Sequence, residues 1–223
     1  MVVKMSAKQE FLLSVNVVIF SLQEDALQVL LTPCRELDSS AGWQLPGLQV
    51  EERESLEQAA MRALSDLVDH HEVYLEQLYT YGDPQRIPDC RQVSVVYFAL
   101  VPAHARYPSQ GAERWFPLDE MPAPAHDHGE ILTYALRRLR YKLEYSAVGF
   151  QLLPDEFTLS ELQHTYEIIL GEKLDKRNFR RRILQADVIE ETPHLRTGEG
   201  RPARLYRYRP DAVAEVKARR LFP

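Results

Sequence analysis

The residues best suited to chemistry lie in one stretch of the chain, residues 43–70. A turn and an acidic loop are followed by a run of strong helix formers over residues 57–64, which predicts a helix. Positions three and four apart share one face of such a helix. That face comprises Ala63, Asp66, Leu67 and His70. This face carries one carboxylate, that of Asp66, and Glu54 lies upstream of the helix. A hard cation such as Mg²⁺ is held by several oxygen ligands. The pattern therefore predicts a poor metal site, and we expect no metal cofactor.

The same stretch resembles the Nudix box: Gly, five residues, Glu, seven residues, Arg-Glu, an aliphatic residue, any residue, Glu-Glu, any residue, Gly and an aliphatic residue. Anchored on Arg62, the first Glu of the box is Glu54, one residue farther from Gly47 than the pattern allows. The helical carboxylates and the closing Gly of the pattern fall on Ala63, Asp66, Leu67 and Asp69. Nudix hydrolysis needs Mg²⁺ or Mn²⁺ held by several carboxylates. The resemblance therefore implies a scaffold that holds a nucleotide but has lost its chemistry. Taken alone, the segment is equally compatible with an amphipathic surface helix.

Two further motifs extend the resemblance to Nudix domains. Residues 42–47 contain the W-x-L-P-G sequence that commonly precedes the box, which implies a strand on the wall of the nucleotide pocket. Residues 80–88 resemble a loop of ADP-ribose-handling Nudix proteins, in which Tyr81 stacks on a base and Arg86 pairs with phosphate or ribose oxygens. An ordinary Gly/Pro turn would use the same residue types. The implied ligand-binding residues are Arg35, Trp43, Gln44, Leu45, Pro46, Tyr81, Asp83 and Arg86.

Length and composition fit a soluble globular protein of one large or two modest domains. The chain has 223 residues, of which 45% are hydrophobic and 27% charged. No apolar run reaches the roughly 18 residues of a membrane span, and the first residues lack the apolar core of a signal peptide. Cys34 and Cys90 show neither paired nor metal-ligand spacing. We therefore expect reduced thiols, a cytoplasmic location and no membrane partner.

The net charge of −6 conceals a strong asymmetry along the chain. Residues 1–147 carry 13 Lys and Arg against 21 Asp and Glu, whereas residues 148–223 carry 14 against 12. Within residues 173–209 the count is 11 against 5, a net charge of +6. A concentration of positive charge late in the chain indicates a nucleic-acid-binding surface.

The elements that must position the candidate ligand residues are strands and one late helix. Apolar residues 11–20 and 27–31 flank a polar turn and predict a hairpin, and residues 92–101 predict another strand. Residues 115–122 resemble the close of a Nudix domain. A helix is predicted from about Gly129, with Asp127 interacting with its N-terminus. The sequence His126-Asp127-His128 is not predicted to bind metal, because adjacent residues point in different directions.

The C-terminal part predicts two helices and a hairpin. Thr158 and Glu161 form a capping-box pattern for a helix that ends at Gly171, and Asp175 can cap a second helix over residues 176–186. A Gly-rich, charged segment then separates two short strands. Helix, short turn, basic helix and two-stranded wing is the layout of a winged helix-turn-helix.

The second helix of this layout has the pattern of a recognition helix. Phe179, Ile183 and Ala186 cluster on one side as core, while Arg and Asn side chains lie opposite for base edges and phosphates. The predicted DNA-binding residues of helix and wing are Lys176, Arg177, Asn178, Arg180, Arg181, Gln185, Arg196, Arg201 and Arg204. Arg182 is expected nearer the buried side.

Nearly the whole chain resembles the Nudix-related transcriptional regulators of NAD metabolism, the NrtR family. The residues 174–181, LDKRNFRR, are closely similar to the recognition helix of that family. The resemblance implies an α+β protein: a Nudix-like α/β/α sandwich with a mixed sheet over residues 1–147, and a winged helix-turn-helix over residues 148–223. It also implies a homodimeric repressor of NAD-metabolism genes that binds palindromic double-stranded operator DNA and responds to ADP-ribose or a related nucleotide.

Two other functions remain open from the sequence. One is a divergent ADP-ribose pyrophosphatase whose Glu54 and Asp66, with Glu51 or Glu52, rebuild a metal site. The other treats the basic C-terminal part as a protein-binding module.

Overall fold

A mixed β-sheet forms the N-terminal part of the molecule. The computed structural model describes residues 11–34, 42–69, 73–87, 90–106, 111–197, 202–209 and 212. The first strands, β1 (Leu12–Gln23) and β2 (Ala26–Pro33), form the predicted hairpin. Its turn residues, Glu24 and Asp25, have positive φ angles of 52° and 60°. This is the signature of a type I′ turn, whose twist matches that of the paired strands.

Strand β1 lies at the centre of this sheet. The other strands are β3 (Trp43–Gln44), β4 (Gly47–Gln49), β5 (Tyr74–Tyr81), β6 (Gln92–Val101) and β7 (Arg114–Pro117). The strand order is β3-β2-β1-β6-β5, with β4 beside β1 and β7 beside β2. Strands β1 and β6 are parallel, and the other pairs among the described strands of this sheet are antiparallel. The predicted mixed sheet is confirmed.

Helices cover both faces of the sheet. Helix α1 (Leu56–Leu64) packs on one face and α2 (His128–Tyr145) on the other. Because side chains alternate along a strand, Val17 faces the α1 core while Val18 and Phe20 face the α2 core. The arrangement confirms the α/β/α sandwich. Within the described ranges, no helix is long and apolar enough to cross a membrane.

Helix α1 is shorter than the sequence pattern predicted. It begins at a capping box whose N-cap is Ser55, and it ends at Leu64. The chain then tightens into a turn, in which the N–H of Leu67 donates to the carbonyl of Leu64 at 2.9 Å. Asp66 and Leu67 therefore lie beyond the helix, so the prediction that they share its face was wrong. His70 lies outside the described residues.

The strand expected over Trp43 to Pro46 is also shorter than predicted. Only Trp43 and Gln44 pair with β2. The N–H of Leu45 donates instead to Nδ1 of His128 at 3.0 Å, and Pro46 has no N–H to offer to a neighbouring strand. A contact with α2 thus interrupts the strand.

The C-terminal part is a winged helix-turn-helix, as predicted. It comprises a 3₁₀ segment (Ala147–Leu152), α3 (Leu159–Leu170), α4 (Lys176–Gln185) and the wing strands β8 (Ile189–Arg196) and β9 (Ala203–Tyr208). The predicted caps are present. The side chains and backbones of Thr158 and Glu161 bond reciprocally, Gly171 ends α3 with φ 75°, and Asp175 accepts from the N–H of Asn178 at 2.7 Å.

One apolar cluster joins the two parts of the molecule. Leu143 of α2, Phe150 of the 3₁₀ segment, and Tyr166 and Phe179 of the winged helix all belong to it. Gly149 lets these elements approach closely, because a Cβ there would lie 2.8 Å from the Tyr166 ring and 2.9 Å from Leu143. The predicted boundary at residues 147 and 148 falls at the start of the 3₁₀ segment. The division into two domains stays a prediction.

We predict that Gly149→Ala destabilises the protein by about 1–3 kcal/mol, because the methyl group overpacks a buried contact. Leu143 and Tyr166 are both fully buried. Urea unfolding measures the change. The matched control is Gly129→Ala, where a Cβ would lie 3.9 Å from Pro124. It should keep or raise stability, because alanine favours a helix. Equal stability of the two variants would contradict the prediction.

Candidate functional site

The carboxylate of Glu54 is held by donors of the protein itself. Nε and Nη2 of Arg62 donate to its two oxygens at 3.1 and 2.5 Å. The N–H of Glu51 donates to the same carboxylate at 2.6 Å. Hydrogen bonds from Arg62, and then from the Glu51 backbone, hold the pKa of Glu54 below its ordinary value. Glu54 therefore acts as an anchor between the acidic loop and α1.

The remaining positions of the box do not fit a divalent cation. Ala63 and Leu67 pack against the apolar core beneath α1, and Asp66 is exposed beyond the helix end. In the part of the chain that the structure describes, no three His, Cys, Asp or Glu side chains are grouped to hold a metal ion. Mg²⁺ takes several oxygen ligands, and the side chains of Ala63 and Leu67 supply none.

Arg86 forms a buried ion pair with Asp127, the N-cap residue of α2. Its Nε and Nη2 donate to the two carboxylate oxygens of Asp127, each at 2.9 Å, and its Nη1 donates to Ser94 Oγ at 2.7 Å. The Arg86 side chain is only 3% exposed. Asp127 is the N-cap residue of α2, so it lies at the helix N-terminus as predicted, but its side chain makes no capping hydrogen bond. Arg86 attracts this carboxylate more strongly, because the two planar groups pair through two hydrogen bonds.

A buried polar cluster beside Arg86 was missed by the sequence analysis. Ser14 and Ser94 lie directly opposite each other on β1 and β6, with their hydroxyl groups 2.7 Å apart. Gln92 donates to both hydroxyl groups at 2.8 and 3.2 Å. Asn16 is 8% exposed, and its Oδ1 accepts no hydrogen bond from the described residues. The sequence signal for this cluster was the presence of polar residues at alternate positions of two otherwise apolar strands.

His128 ties the Trp43 segment to α2 as a neutral side chain. Its Nδ1 accepts from the N–H of Leu45, and the N–H of Ala125 donates to the carbonyl of Trp43 at 2.8 Å. Burial lowers the pKa of His128 to about 4, and the Asp127 carboxylate opposes this effect. The neutral ring is required, because a protonated Nδ1 could not accept this bond.

The other predicted ligand residues differ in their exposure to solvent. The side chain of Leu45 and Pro46 are buried, whereas Asp83 is exposed and accepts from the N–H of Gln85 at 2.7 Å. Burial raises the pKa of Tyr81 to about 12, and Asp127 adds to the rise. Trp43 and Gln44 are half-buried at the edge of β2. Arg35 lies outside the described residues.

Helix α4 presents its cations away from the core. Phe179 and Ile183 are buried, while Lys176, Arg177, Arg181 and Gln185 are exposed. Nη2 of Arg181 donates to Oδ1 of Asn178 at 2.8 Å, and Nη2 of Arg180 donates to Ser160 Oγ at 3.0 Å. Among the described residues, no carboxylate lies within the 4.0 Å ion-pair distance of Arg177 or Arg181. The exposed face is therefore strongly cationic, and Arg182 is half-buried beside it.

The wing arginines differ from those of α4 in having acidic partners. Arg196 lies 3.3 Å from Glu161, and Arg204 lies 2.7 Å from Glu191. Exposed ion pairs of this kind contribute about 0–1 kcal/mol. A phosphate can therefore displace the acidic partner at small cost. Arg201 lies outside the described residues.

We predict that His128 makes stability depend on pH between about 6.5 and 4. The unfolded chain binds the proton more readily than the folded one, so stability is full above pH 6.5 and decreases as the pH falls toward 4. The expected loss is about 3 kcal/mol. It is measured as the difference in unfolding free energy between the protein and His128→Asn, whose amide oxygen can accept the Leu45 bond without titrating. Parallel pH profiles for the two proteins would contradict the prediction.

Comparison with known proteins identifies both parts of the chain. The NUDIX domain family matches residues 11–138, and the NrtR DNA-binding winged helix domain family matches residues 149–208. An ADPR-responsive transcriptional repressor of Acinetobacter baylyi is 37% identical over 204 residues, which cover 88% of this chain and 82% of the relative.

Two crystal structures of Shewanella oneidensis NrtR are also similar. The protein complexed with a 27mer DNA has a TM-score of 0.80 and 36% identity, covering 93% of this chain and 96% of that one. Its NUDIX domain complexed with ADP ribose has a TM-score of 0.51 and 33% identity, covering 59% and 90%. The matched domains and the extent of the identity show that the chain belongs to the NrtR family, in which a NUDIX domain precedes a DNA-binding winged helix.

Proposed function

We propose that this protein is an ADP-ribose-responsive repressor that binds operator DNA upstream of NAD-metabolism genes. The observation that carries the proposal is the face of α4, which exposes Arg177 and Arg181 without acidic partners among the described residues. A cationic helix of this kind suits the major groove, where Arg side chains bond to guanine edges and phosphates. The relatives with DNA and ADP ribose in their crystals support both halves of the proposal.

In this proposal, residues 1–147 bind the nucleotide and hold two copies together, and residues 148–223 bind DNA. A homodimer places two α4 helices about one DNA turn apart, roughly 34 Å, on a palindromic site. Lys176, Arg177, Asn178, Arg180, Arg181 and Gln185 serve in α4, with Arg196, Arg201 and Arg204 in the wing. We also propose a cytoplasmic location, where such a repressor meets its operator.

The nucleotide site is proposed at the N-terminal end of α2. The segment Trp43 to Pro46, Tyr81 and Asp83 are proposed to line it, with Arg86 held beside them by Asp127. Arg35 stays a ligand residue proposed from the sequence. The ligand acts on DNA binding only through its difference in affinity for two arrangements of the dimer, each tenfold difference being about 1.4 kcal/mol.

We propose further that the protein does not hydrolyse its ligand. Ala63 and Leu67 supply no oxygen, and Arg62 already binds the Glu54 carboxylate. A site with so few carboxylates cannot hold the cation on which Nudix chemistry depends.

We predict that Arg177→Ala/Arg181→Ala weakens operator binding at least tenfold and makes its salt dependence shallower, because fewer counterions are released. The probe is a duplex selected by the full-length protein from a random-sequence pool, and binding is measured by fluorescence anisotropy at several salt concentrations. The matched control, Arg137→Ala/Arg138→Ala, removes the same charge from exposed positions of α2 and should bind as the parent does. Unchanged binding by the α4 variant would favour a protein-binding module.

We predict that ADP-ribose releases the selected duplex and that Tyr81→Ala weakens ADP-ribose binding by roughly three- to tenfold, the value of one aromatic stacking contact. Calorimetric titration measures the ligand affinity, with Tyr141→Ala, an exposed tyrosine of α2, as the control.

The ADP-ribose recovered after incubation with Mg²⁺ should be intact. AMP release that disappears in Glu54→Gln would instead establish a pyrophosphatase. DNA binding of the selected duplex that ADP-ribose leaves unchanged, measured by fluorescence anisotropy, would contradict the sensor function.

A further inference from the structure

One apolar side chain interrupts the cationic face of α4. Leu184 lies in the last turn of the helix and is 50% exposed. The core-facing positions of the same helix are already filled, because Phe179 is 2% exposed and Ile183 is fully buried. Among the described residues, Leu184 belongs to neither of the two apolar clusters. Packing within the chain therefore does not explain its position.

The neighbours of Leu184 on the helix surface are arginines. Arg181 and Arg180 precede it by three and four residues, and Arg177 by seven, so all four side chains lie along one side of α4. Arg177 and Arg181 are exposed and have no carboxylate partner among the described residues. A second apolar protein surface is a poor partner for this leucine, because covering it would also desolvate the surrounding guanidinium groups.

The DNA major groove fits this combination of charge and apolar surface. Phosphates on both sides of the groove attract the guanidinium groups, and the C5 methyl of thymine is the apolar group displayed between the base-edge donors and acceptors. We propose that Leu184 reads a thymine methyl group in each operator half-site, an inference that rests on the proposed DNA binding by α4. Leu184 is then a specificity-determining residue, and the arginines around it supply affinity.

The experiment removes one methyl group at a time from the DNA. In the duplex selected by the full-length protein, each thymine is replaced in turn by deoxyuridine, which differs only in lacking the C5 methyl. Dissociation constants are measured at fixed salt for the parent protein, for Leu184→Ala and for Leu13→Ala. Leu13 is a similarly exposed leucine, 42% accessible on β1, and serves as the matched control.

One thymine in each half-site is expected to be sensitive to this replacement. Removing the methyl group of that thymine should raise the dissociation constants of the parent protein and of Leu13→Ala roughly fourfold, as expected for one buried methyl contact. Leu184→Ala should bind the unmodified duplex correspondingly more weakly and show no further loss at that position. Because Leu184 is exposed, the variant is expected to fold, and its melting curve checks this.

The inference is overturned if the binding of Leu184→Ala weakens at every thymine replacement as much as that of the parent protein. It is also overturned if no deoxyuridine replacement weakens DNA binding by the parent protein. In either case Arg177→Ala/Arg181→Ala still reports on the proposed function, because that variant loses binding whether or not a methyl group is read. If the full-length protein selects no duplex at all, the proposed function fails together with the inference.

Discussion

Helix α2 packs against both the sheet and the winged helix within one apolar cluster, and the arrangement of the described parts of the molecule depends on this contact. Its 18 residues span about 27 Å. At its N-terminal end, Asp127 and His128 hold the candidate ligand wall through Arg86 and Leu45. At its C-terminal end, Leu143 packs against the winged helix beside Gly149. The same helix therefore contacts both the candidate ligand wall and the winged helix.

The two kinds of ion pair in the structure have opposite consequences. Arg86 and Asp127 are largely buried and paired through two hydrogen bonds, so separating them leaves a charge without solvent or partner. The pairs of the wing, such as Arg204 with Glu191, are exposed and weak. The same residue type therefore serves as a fixed support beside the proposed nucleotide site and forms an exchangeable pair on the proposed DNA-binding surface. Burial, rather than the identity of the residue, makes the difference.

Much of the fold follows from local signals in the sequence. The β1–β2 hairpin, the capping box of Thr158 and Glu161, and the αL stop at Gly171 were all predicted, because each depends on residues within a few positions of one another. Two local expectations were altered where a distant residue intervened. The strand at Trp43 ends early because His128 accepts the Leu45 N–H, 83 residues away in sequence. Asp127 is the N-cap of α2 but makes no side-chain cap, because Arg86, 41 residues away, takes its carboxylate.

The sequence by itself indicated the class of protein and the order of its two parts through motifs that resemble a known family. It also determined the caps and the cationic face of α4, because periodicity, caps and charge are properties of neighbouring residues. Only the tertiary structure decided which polar groups meet. It set Ser14 opposite Ser94 across 80 residues and left the Oδ1 of Asn16 buried beside them. It also left Leu184 outside the core, although its residue type predicts burial. Such contacts depend on strand register and helix packing, which are fixed only when the distant segments come together.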